Sequence, residues 1–171
     1  MKNQYEVRGD ITVLFVIRKD GSVFEVLINT EDLPRYLALN KKIHVDKLKT
    51  GYYAKYHPIK HTSRMFHRFI LDAPDNLLVD HIYHNTLDLR KSKLRLVTNA
   101  ENLQNLKSAR SDSTTGIRGV SHKGKLWVAR AWLNGKEIRI GSFPTKEEAE
   151  SAVTTYRKEN MPFSQENLYG T

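Results

Sequence analysis

Short hydrophobic runs separated by turn-forming residues dominate the first part of this chain. Residues 11–17 and 23–28 are rich in β-branched and apolar side chains, and a Lys-Asp-Gly turn signal lies between them at 19–21. These runs predict a β-hairpin, because apolar stretches joined by a glycine turn are typical of paired strands. Thr30 follows, in the position of an N-cap for a short helix over residues 31–39.

The middle of the chain changes to a strand, loop, strand, helix pattern. Residues 65–71 predict a short helix, and residues 77–81 and 94–97 predict two strands on either side of a polar loop. Thr98 and Glu101 have the spacing of a capping box, which places the start of a helix directly after the second strand.

The last part of the chain predicts a small sheet followed by a helix. Residues 117–121, 126–133 and 137–140 are strand candidates, and an Asn-Gly turn joins the last two. A helix is predicted over residues 145–160, where four apolar side chains recur at i, i+3, i+4 and i+7. Because these side chains share one face, we expect the helix to pack on one side of the sheet.

Composition limits the chemistry that the chain can use. The 171 residues include no cysteine and carry a formal net charge of +9. Disulfides and thiolate zinc sites are therefore excluded. A bound metal would need oxygen or imidazole ligands, which points to magnesium, calcium or manganese ahead of a histidine-rich zinc site. The positive charge predicts a polyanionic partner, with nucleic acid ahead of an anionic membrane.

Two negative features bear on location. No hydrophobic run approaches the roughly 18 residues that a membrane span needs. The polar start of the sequence also lacks the apolar core of a signal peptide. With the absence of cysteine, these features predict a cytoplasmic protein that does not bind a membrane.

Candidate chemistry is concentrated at the end of the first middle strand. Asp80 and His81 are adjacent there, and the helix predicted over residues 99–108 carries Asn102 and Asn105 one turn apart. A carboxylate, an imidazole and a carboxamide could together hold a hard cation and a general base, which phosphodiester cleavage requires. A regular strand would turn the first two side chains to opposite faces, so a strand irregularity is expected if both face the helix.

Residues 52–107 resemble the H-N-H motif of the ββα-metal endonucleases, especially those of phages and introns. The resemblance rests on spacing as well as on residue type. The matching positions are His67, Arg68, Val79, Asp80, His81, Asn85, Thr86, Leu87, Asp88, Arg90, Leu94, Arg95, Val97, Thr98, Asn102 and Asn105.

This resemblance implies specific roles. Asp80 and Asn102 would bind one divalent metal ion, magnesium or manganese, and His81 would take a proton from the attacking water. The resemblance implies supporting roles for further positions around them. These supporting residues are Asn85, Asn105, Lys93, His67 and Arg68.

The chain also departs from the family pattern. Lys93 stands where the motif has its middle asparagine, and Leu89 stands where many members have another. That middle asparagine is understood to brace the loop in the family. A lysine ammonium cannot accept a hydrogen bond, so the brace must be replaced or lost, and Lys93 could contact a phosphate instead.

Residues 115–163 resemble the Apetala/ethylene-response-factor DNA-binding domain. The matching segments are 116–120, 127–130, 139–143 and 145–149. The resemblance implies a sheet that lies in the major groove of DNA, which admits such a structure. Strand alternation leaves Trp127 either on that face or under the helix. The expected DNA-contacting residues are Arg118, Lys123, Lys125, Trp127, Arg130, Trp132 and Arg139.

The sequence therefore predicts an α+β fold. We expect an N-terminal β-rich region with a β-hairpin, a ββα-metal nuclease unit, and a three-stranded antiparallel sheet with one packed helix. The predicted parts are residues 1–51, the nuclease unit at 52–108, a linker at 109–115, and the DNA-binding domain at 116–171.

The expected function is metal-dependent hydrolysis of phosphodiester bonds in double-stranded DNA, by nicking or by double-strand cleavage. The chain would act as a monomer or homodimer without an obligate protein partner, in a bacterial or phage-infected cell. One alternative stays open, a DNA-binding regulator derived from such a nuclease whose catalysis is weakened or lost.

Overall fold

The structure is a computed structural model that describes residues 2–168, so residues 169–171 of the predicted C-terminal domain lie outside it. The fold is mixed α+β, as predicted, with small antiparallel sheets and short helices. The chain divides into two compact units, residues 1–97 and 98–171. None of the described helices has the length and apolar character needed to cross a bilayer.

Strands dominate the first unit. Its elements are β1 Gln4–Arg8, β2 Ile11–Ile17, β3 Val23–Asn29, α1 Leu33–Leu39, β4 Ile43–Leu48, β5 Gly51–Tyr56, β6 Arg64–Met65, α2 Phe66–Ile70, β7 Leu78–His81 and β8 Leu94–Val97.

The N-terminal sheet has the order β1-β2-β3. The predicted hairpin is confirmed, with β2 and β3 paired from Ile11↔Asn29 to Ile17↔Val23. The sequence pattern did not reveal β1, because only Tyr5 and Val7 alternate there and all five residues of the strand are exposed. It pairs along β2 as an edge strand.

One hydrophobic core joins the elements of the first unit. Tyr36 of α1, Ile43 of β4 and Phe66 of α2 are fully buried in it, together with Leu14 and Leu89. This core lies under β2, β3, β5 and the loop before β8, so the candidate strands β7 and β8 rest on a scaffold built from the whole unit.

The predicted N-cap of the first helix is wrong. Thr30 lies in a 3-10 turn before α1, and Asp32 occupies the N-cap position without a side-chain cap. The Thr30 hydroxyl instead donates to the carbonyl of Gly9 at 2.8 Å. The threonine therefore ties the turn to the start of β2 rather than starting a helix.

The second unit begins with the predicted capping box. The Thr98 hydroxyl accepts from the Glu101 amide at 3.3 Å, and the Glu101 carboxylate accepts from the Thr98 amide at 2.7 Å. Helix α3 is shorter than predicted, since it spans Asn99–Asn102 and is followed by a single 3-10 turn, Leu103–Asn105. Arg118 donates to the carbonyls of residues 104 and 106, which replaces the hydrogen bonds of a longer helix.

A three-stranded sheet and a helix complete this unit. The sheet has the order β11-β10-β9. Ala149 and Val153 of the helix pack against Val120 and Ala129 of the sheet. The elements are β9 Val120–Lys123, β10 Leu126–Leu133, β11 Lys136–Phe143 and α4 Lys146–Asn160.

Ion pairs hold the segment after α4 against the rest of the second unit. Glu166 accepts from Arg157 of α4 at 2.7 Å and lies 3.6 Å from Arg118. All three side chains are largely removed from solvent. Burial and the neighbouring Arg157 lower the pKa of Arg118 to about 10, while Glu166 opposes the shift.

Gly119 is a point where the fold requires glycine. Its φ is +81°, and a Cβ there would collide with the carbonyl oxygen of Arg130 and lie 3.2 Å from Val153. We therefore expect Gly119→Ala to lower the free energy of unfolding by more than about 2 kcal/mol. Gly124 is the matched control, because its φ is +64° but nothing lies within 4 Å of its added Cβ.

Gly124→Ala should cost only about 1 kcal/mol, the conformational penalty alone. Chemical denaturation monitored by tryptophan fluorescence compares the two variants. Equal losses for both would contradict the close approach at Gly119.

Candidate active site

His81 ends β7 within a cluster of aromatic rings. Its ring centroid lies 5.0 Å from that of His67, at an interplanar angle of 78°. Tyr53 of β5 lies 5.9 Å from His81 and 6.3 Å from His67. His67 comes from α2, so three elements fix the orientation of the candidate base. The sequence pattern did not assign Tyr53 this place, because only the pairing of β4, β5 and β6 brings it here.

Burial keeps both imidazoles neutral. The pKa of His81 falls to about 4, chiefly because of desolvation, while the carboxylates of Asp80 and Asp88 oppose the shift. The pKa of His67 falls to about 3 through burial and the neighbouring His81 and Arg68. A neutral imidazole can accept a proton, so His81 is in the protonation state that a general base needs at neutral pH.

Asp80 is held by an arginine on the facing strand. Asp80 and Arg95 are cross-strand partners, and the guanidinium contacts the carboxylate at 2.8 Å through both Nε and an Nη nitrogen. The β7–β8 pairing runs through His81↔Leu94 without a register shift. The expected irregularity is therefore not within β7, and Asp80 contacts Arg95 whereas His81 contacts the aromatic cluster.

Asn85 shapes the loop that follows the base. Its side-chain oxygen accepts from the Leu87 amide at 3.2 Å, and the Thr86 hydroxyl donates to the carbonyl of Tyr52 at 2.5 Å. Side chains that accept from a backbone amide two residues ahead are typical of turns. The structure thus places Asn85 in a loop-forming role.

The N-terminal sheet braces this loop through the main chain. The Leu27 amide donates to the carbonyl of Leu87 at 2.9 Å, and the Leu89 amide donates to the carbonyl of Leu27 at 2.8 Å. Asn29, at the end of β3, accepts from the Lys91 amide at 2.8 Å. The loop therefore pairs with β3, which holds residues 87–91 in place.

The two departures from the family pattern have different surroundings. Leu89 is fully buried in the core of the first unit, where an amide would have to find new partners. Lys93 is half-buried, and its ammonium lies 4.6 Å from the centroid of the Tyr83 ring. Leu89 therefore packs, whereas Lys93 keeps a charged group at the loop.

Arg68 has a structural position. Its guanidinium donates to the carbonyls of Leu77, Ala73 and Pro74 at 2.8, 3.2 and 2.8 Å, and it lies 3.8 Å from Asp75. These bonds join the end of α2 to the start of β7. Arg68 thus supports the strand that carries Asp80 and His81.

The two asparagines lie in the second unit. Asn102 is the last residue of α3 and is half-buried, whereas Asn105 is buried in the following 3-10 turn. Their assigned parts in metal binding and catalytic support stay predictions.

The expected DNA-contacting residues differ in exposure. Arg130 pairs with Arg139 and Trp132 with Glu137 across β10 and β11, so these four side chains share a face. Trp132 is 66% exposed, and Arg130 lies 3.5 Å from Glu137. Lys123, Lys125 and Arg139 are also exposed.

Two of these residues lie elsewhere. Arg118 does not point outward as expected, because its guanidinium is bound to backbone carbonyls and paired with Glu166. Trp127 lies on the helix side of the sheet, packed with the small core and 4.7 Å from His122.

Buried neutral histidines make stability fall as the pH falls. In the unfolded chain an imidazole is protonated below about pH 6.5, whereas folded His67 takes up a proton only near pH 3. Between these values the unfolded state binds more protons, so each such residue costs up to about 1.4 kcal/mol per pH unit of acidification. We expect His67→Phe to flatten this slope in urea unfolding between pH 7 and pH 4.

The control for this measurement is His61→Asn. His61 is exposed and has a left-handed backbone, φ 65°, which asparagine tolerates. The His61→Asn variant should have the same slope of stability against pH as the parent. If His67→Phe kept the slope of the parent, the His67 imidazole would not be held neutral in the folded protein.

The chain is similar in sequence to a viral protein. It is 34% identical over 107 residues to a protein of Acanthamoeba polyphaga mimivirus that is described as an uncharacterized HNH endonuclease. The aligned region covers 59% of this chain and 54% of that protein, so the chain spans about half the length of its relative. No protein-family model matches the chain, and no solved structure matches it significantly. The similarity supports a relationship to the HNH nucleases.

Proposed function

We propose that this chain is a metal-dependent DNA endonuclease of the H-N-H type, which hydrolyses phosphodiester bonds at a place chosen by its C-terminal sheet. The observation that carries this proposal is the buried, neutral imidazole of His81 directly after the carboxylate of Asp80. The similarity to a protein described as an HNH endonuclease supports the same reaction class.

His81 would act as the general base. Its low pKa keeps the ring unprotonated at neutral pH, and the carboxylates of Asp80 and Asp88 favour the protonated form that proton transfer would create. The contacts with His67 and Tyr53 fix the orientation of the His81 ring. Little conformational entropy would therefore be lost when the ring accepts a proton from the reacting water.

The protein ligands proposed here suit a metal ion whose coordination shell is completed by water and by the DNA phosphate. Among residues 2–168 no group of three or more histidine, aspartate and glutamate side chains could enclose an ion. Magnesium often binds through one or two carboxylates and takes its other ligands from water and phosphate, and a buried carboxylate such as that of Asp80 suits this mode. By the family resemblance, Asn102 would be the other protein ligand. A bound ion would supply positive charge where the transition state gathers negative charge.

The C-terminal sheet would bind double-stranded DNA. Its exposed face combines Arg130, Arg139 and Trp132 with one carboxylate, Glu137. Lys123 and Lys125 extend the positive charge into the turn beside it. Cationic side chains on phosphates would provide affinity, and arginine contacts to base edges in the major groove would provide selectivity.

A second candidate function is a DNA-binding regulator with weakened or lost catalysis. The observation that favours it is the ion pair of Asp80 with Arg95, because an arginine at 2.8 Å competes with a metal ion for the same carboxylate. In either case the partner is double-stranded DNA, bound by a monomer or homodimer, and the expected compartment is the cytoplasm.

Plasmid cleavage separates the two functions. We expect the parent protein to nick supercoiled plasmid in the presence of magnesium or manganese, and His81→Ala to lose more than about 100-fold in rate, as removal of a general base does. His61→Asn, in an exposed loop and at a left-handed position that asparagine tolerates, is the control and should nick normally. A parent that cuts no DNA with either metal would leave the regulator as the better description.

The sheet makes a separate prediction about binding. Arg130→Ala should weaken binding to the preferred DNA by about 1–3 kcal/mol if the guanidinium contacts a base. Fluorescence anisotropy without divalent metal measures this affinity independently of cleavage. Lys158→Ala, on the exposed side of α4, should bind like the parent, and equal affinities for all three proteins would remove Arg130 from the interface.

A further inference from the structure

The cations around β8 are not equivalent. Four basic residues lie between positions 90 and 95, and three of them are neutralised by carboxylates. The pairs are Arg90 with Asp88 at 2.6 Å, Lys91 with Glu31 at 2.8 Å and Asp32 at 2.9 Å, and Arg95 with Asp80 at 2.8 Å. Within the part of the chain that the structure describes, Lys93 forms no ion pair. Its charge is therefore the uncompensated one in this segment.

An aromatic ring holds this charge without cancelling it. The Lys93 ammonium lies 4.6 Å from the centroid of the Tyr83 ring, a distance typical of a cation–π contact. Tyr83 is 44% exposed. A carboxylate partner would remove the net charge, whereas a ring orients the ammonium and leaves it able to bind an anion.

A small cavity accompanies the lysine. It measures about 190 Å³ and is lined by Tyr83, Asn85, Asp88 and Lys93. Asp88 would repel an anion if it were unpaired, but Arg90 donates to both of its oxygens at 2.8 and 2.6 Å. The cavity therefore combines an available cation with a compensated carboxylate.

The lysine lies next to the candidate base along the ribbon. The Lys93 carbonyl accepts from the Ile82 amide at 3.0 Å, and the next residue, Leu94, is the cross-strand partner of His81. A DNA backbone whose scissile phosphate lay at His81 would carry its neighbouring phosphates past this end of the ribbon.

We infer that Lys93, held on Tyr83, is a binding subsite for a DNA phosphate that flanks the scissile one. The inference rests on the proposed nuclease function and adds a substrate-binding residue to it. Because main-chain bonds from β3 brace the loop, position 93 does not need a hydrogen-bond acceptor. A cation there contributes affinity and alignment of the strand to be cut.

Salt dependence of DNA binding tests this inference with a control in the same turn. Lys93→Gln removes the uncompensated charge, and Lys91→Gln removes a charge that Glu31 and Asp32 already neutralise. Each phosphate contact contributes about 0.9 to the slope of log K against log salt. We expect Lys93→Gln to lower this slope by about 0.9 and to weaken binding severalfold near 0.1 M salt, while Lys91→Gln keeps the parent slope.

The probe is a short fluorescein-labelled duplex, measured by anisotropy in EDTA between about 50 and 200 mM salt. Lys93→Arg should restore the slope, because the guanidinium also binds phosphate and also stacks on aromatic rings. Thermal unfolding measures the stability of each variant, because Lys91→Gln leaves the buried Asp32 carboxylate without its ion-pair partner, and slopes are compared below the unfolding range of every variant.

The outcomes distinguish this inference from the proposed function. Equal slopes for Lys93→Gln, Lys91→Gln and the parent would overturn the subsite, whereas nicking that depends on His81 would still support the nuclease. A lowered slope without any nicking would support the subsite on a DNA-binding surface and count against the enzyme. Absence of DNA binding by the parent would overturn the subsite as well.

Discussion

The backbone pairing between β3 and the loop after His81 is the constraint on which the candidate site depends. The Leu27 amide donates to Leu87, the Leu27 carbonyl accepts from Leu89, and the Asn29 side chain accepts from the Lys91 amide, which fixes residues 87–91 of the loop. They bury Leu89 in the core and hold the loop that joins β7 to β8. Because the N-terminal sheet supplies these bonds, it is part of the scaffold of the candidate site rather than an independent cover.

Charge in the first unit is arranged around this scaffold. Asp80 and Asp88 each have an arginine within hydrogen-bonding distance, so both carboxylates near His81 are ion-paired. Paired charges of this kind cost less to bury than isolated ones. Burial of the ring itself favours the uncharged imidazole of His81.

The sequence patterns that predicted structure correctly are those with local physical causes. The hairpin of β2 and β3, the capping box at Thr98, and the amphipathic face of α4 each depend on residues a few positions apart. Thr30 is not the predicted N-cap, because its hydroxyl donates to the carbonyl of Gly9, twenty-one residues earlier in the chain. Edge strand β1 buries none of its side chains, so its register against β2 could only come from the structure.

The same distinction applies to the candidate site. The motif predicts Asp80 and His81 as site residues because the two are adjacent in the sequence. Tyr53 and the brace from Leu27 were not predictable, because sheet pairing brings them together from distant positions. Main-chain hydrogen bonds also place few demands on side-chain identity, so the residue type at position 27 does not predict that this residue pairs with the loop.

The two arginines that share Glu166 set a boundary for protein engineering. A fusion protein that contained the sheet and α4 but ended with that helix would lack Glu166. Arg118 and Arg157 would then be buried without their carboxylate partner. Such a graft would lose the counter-ion that makes the arrangement tolerable. The transplantable module therefore includes the tail through Glu166, even though that tail adds no strand to the sheet.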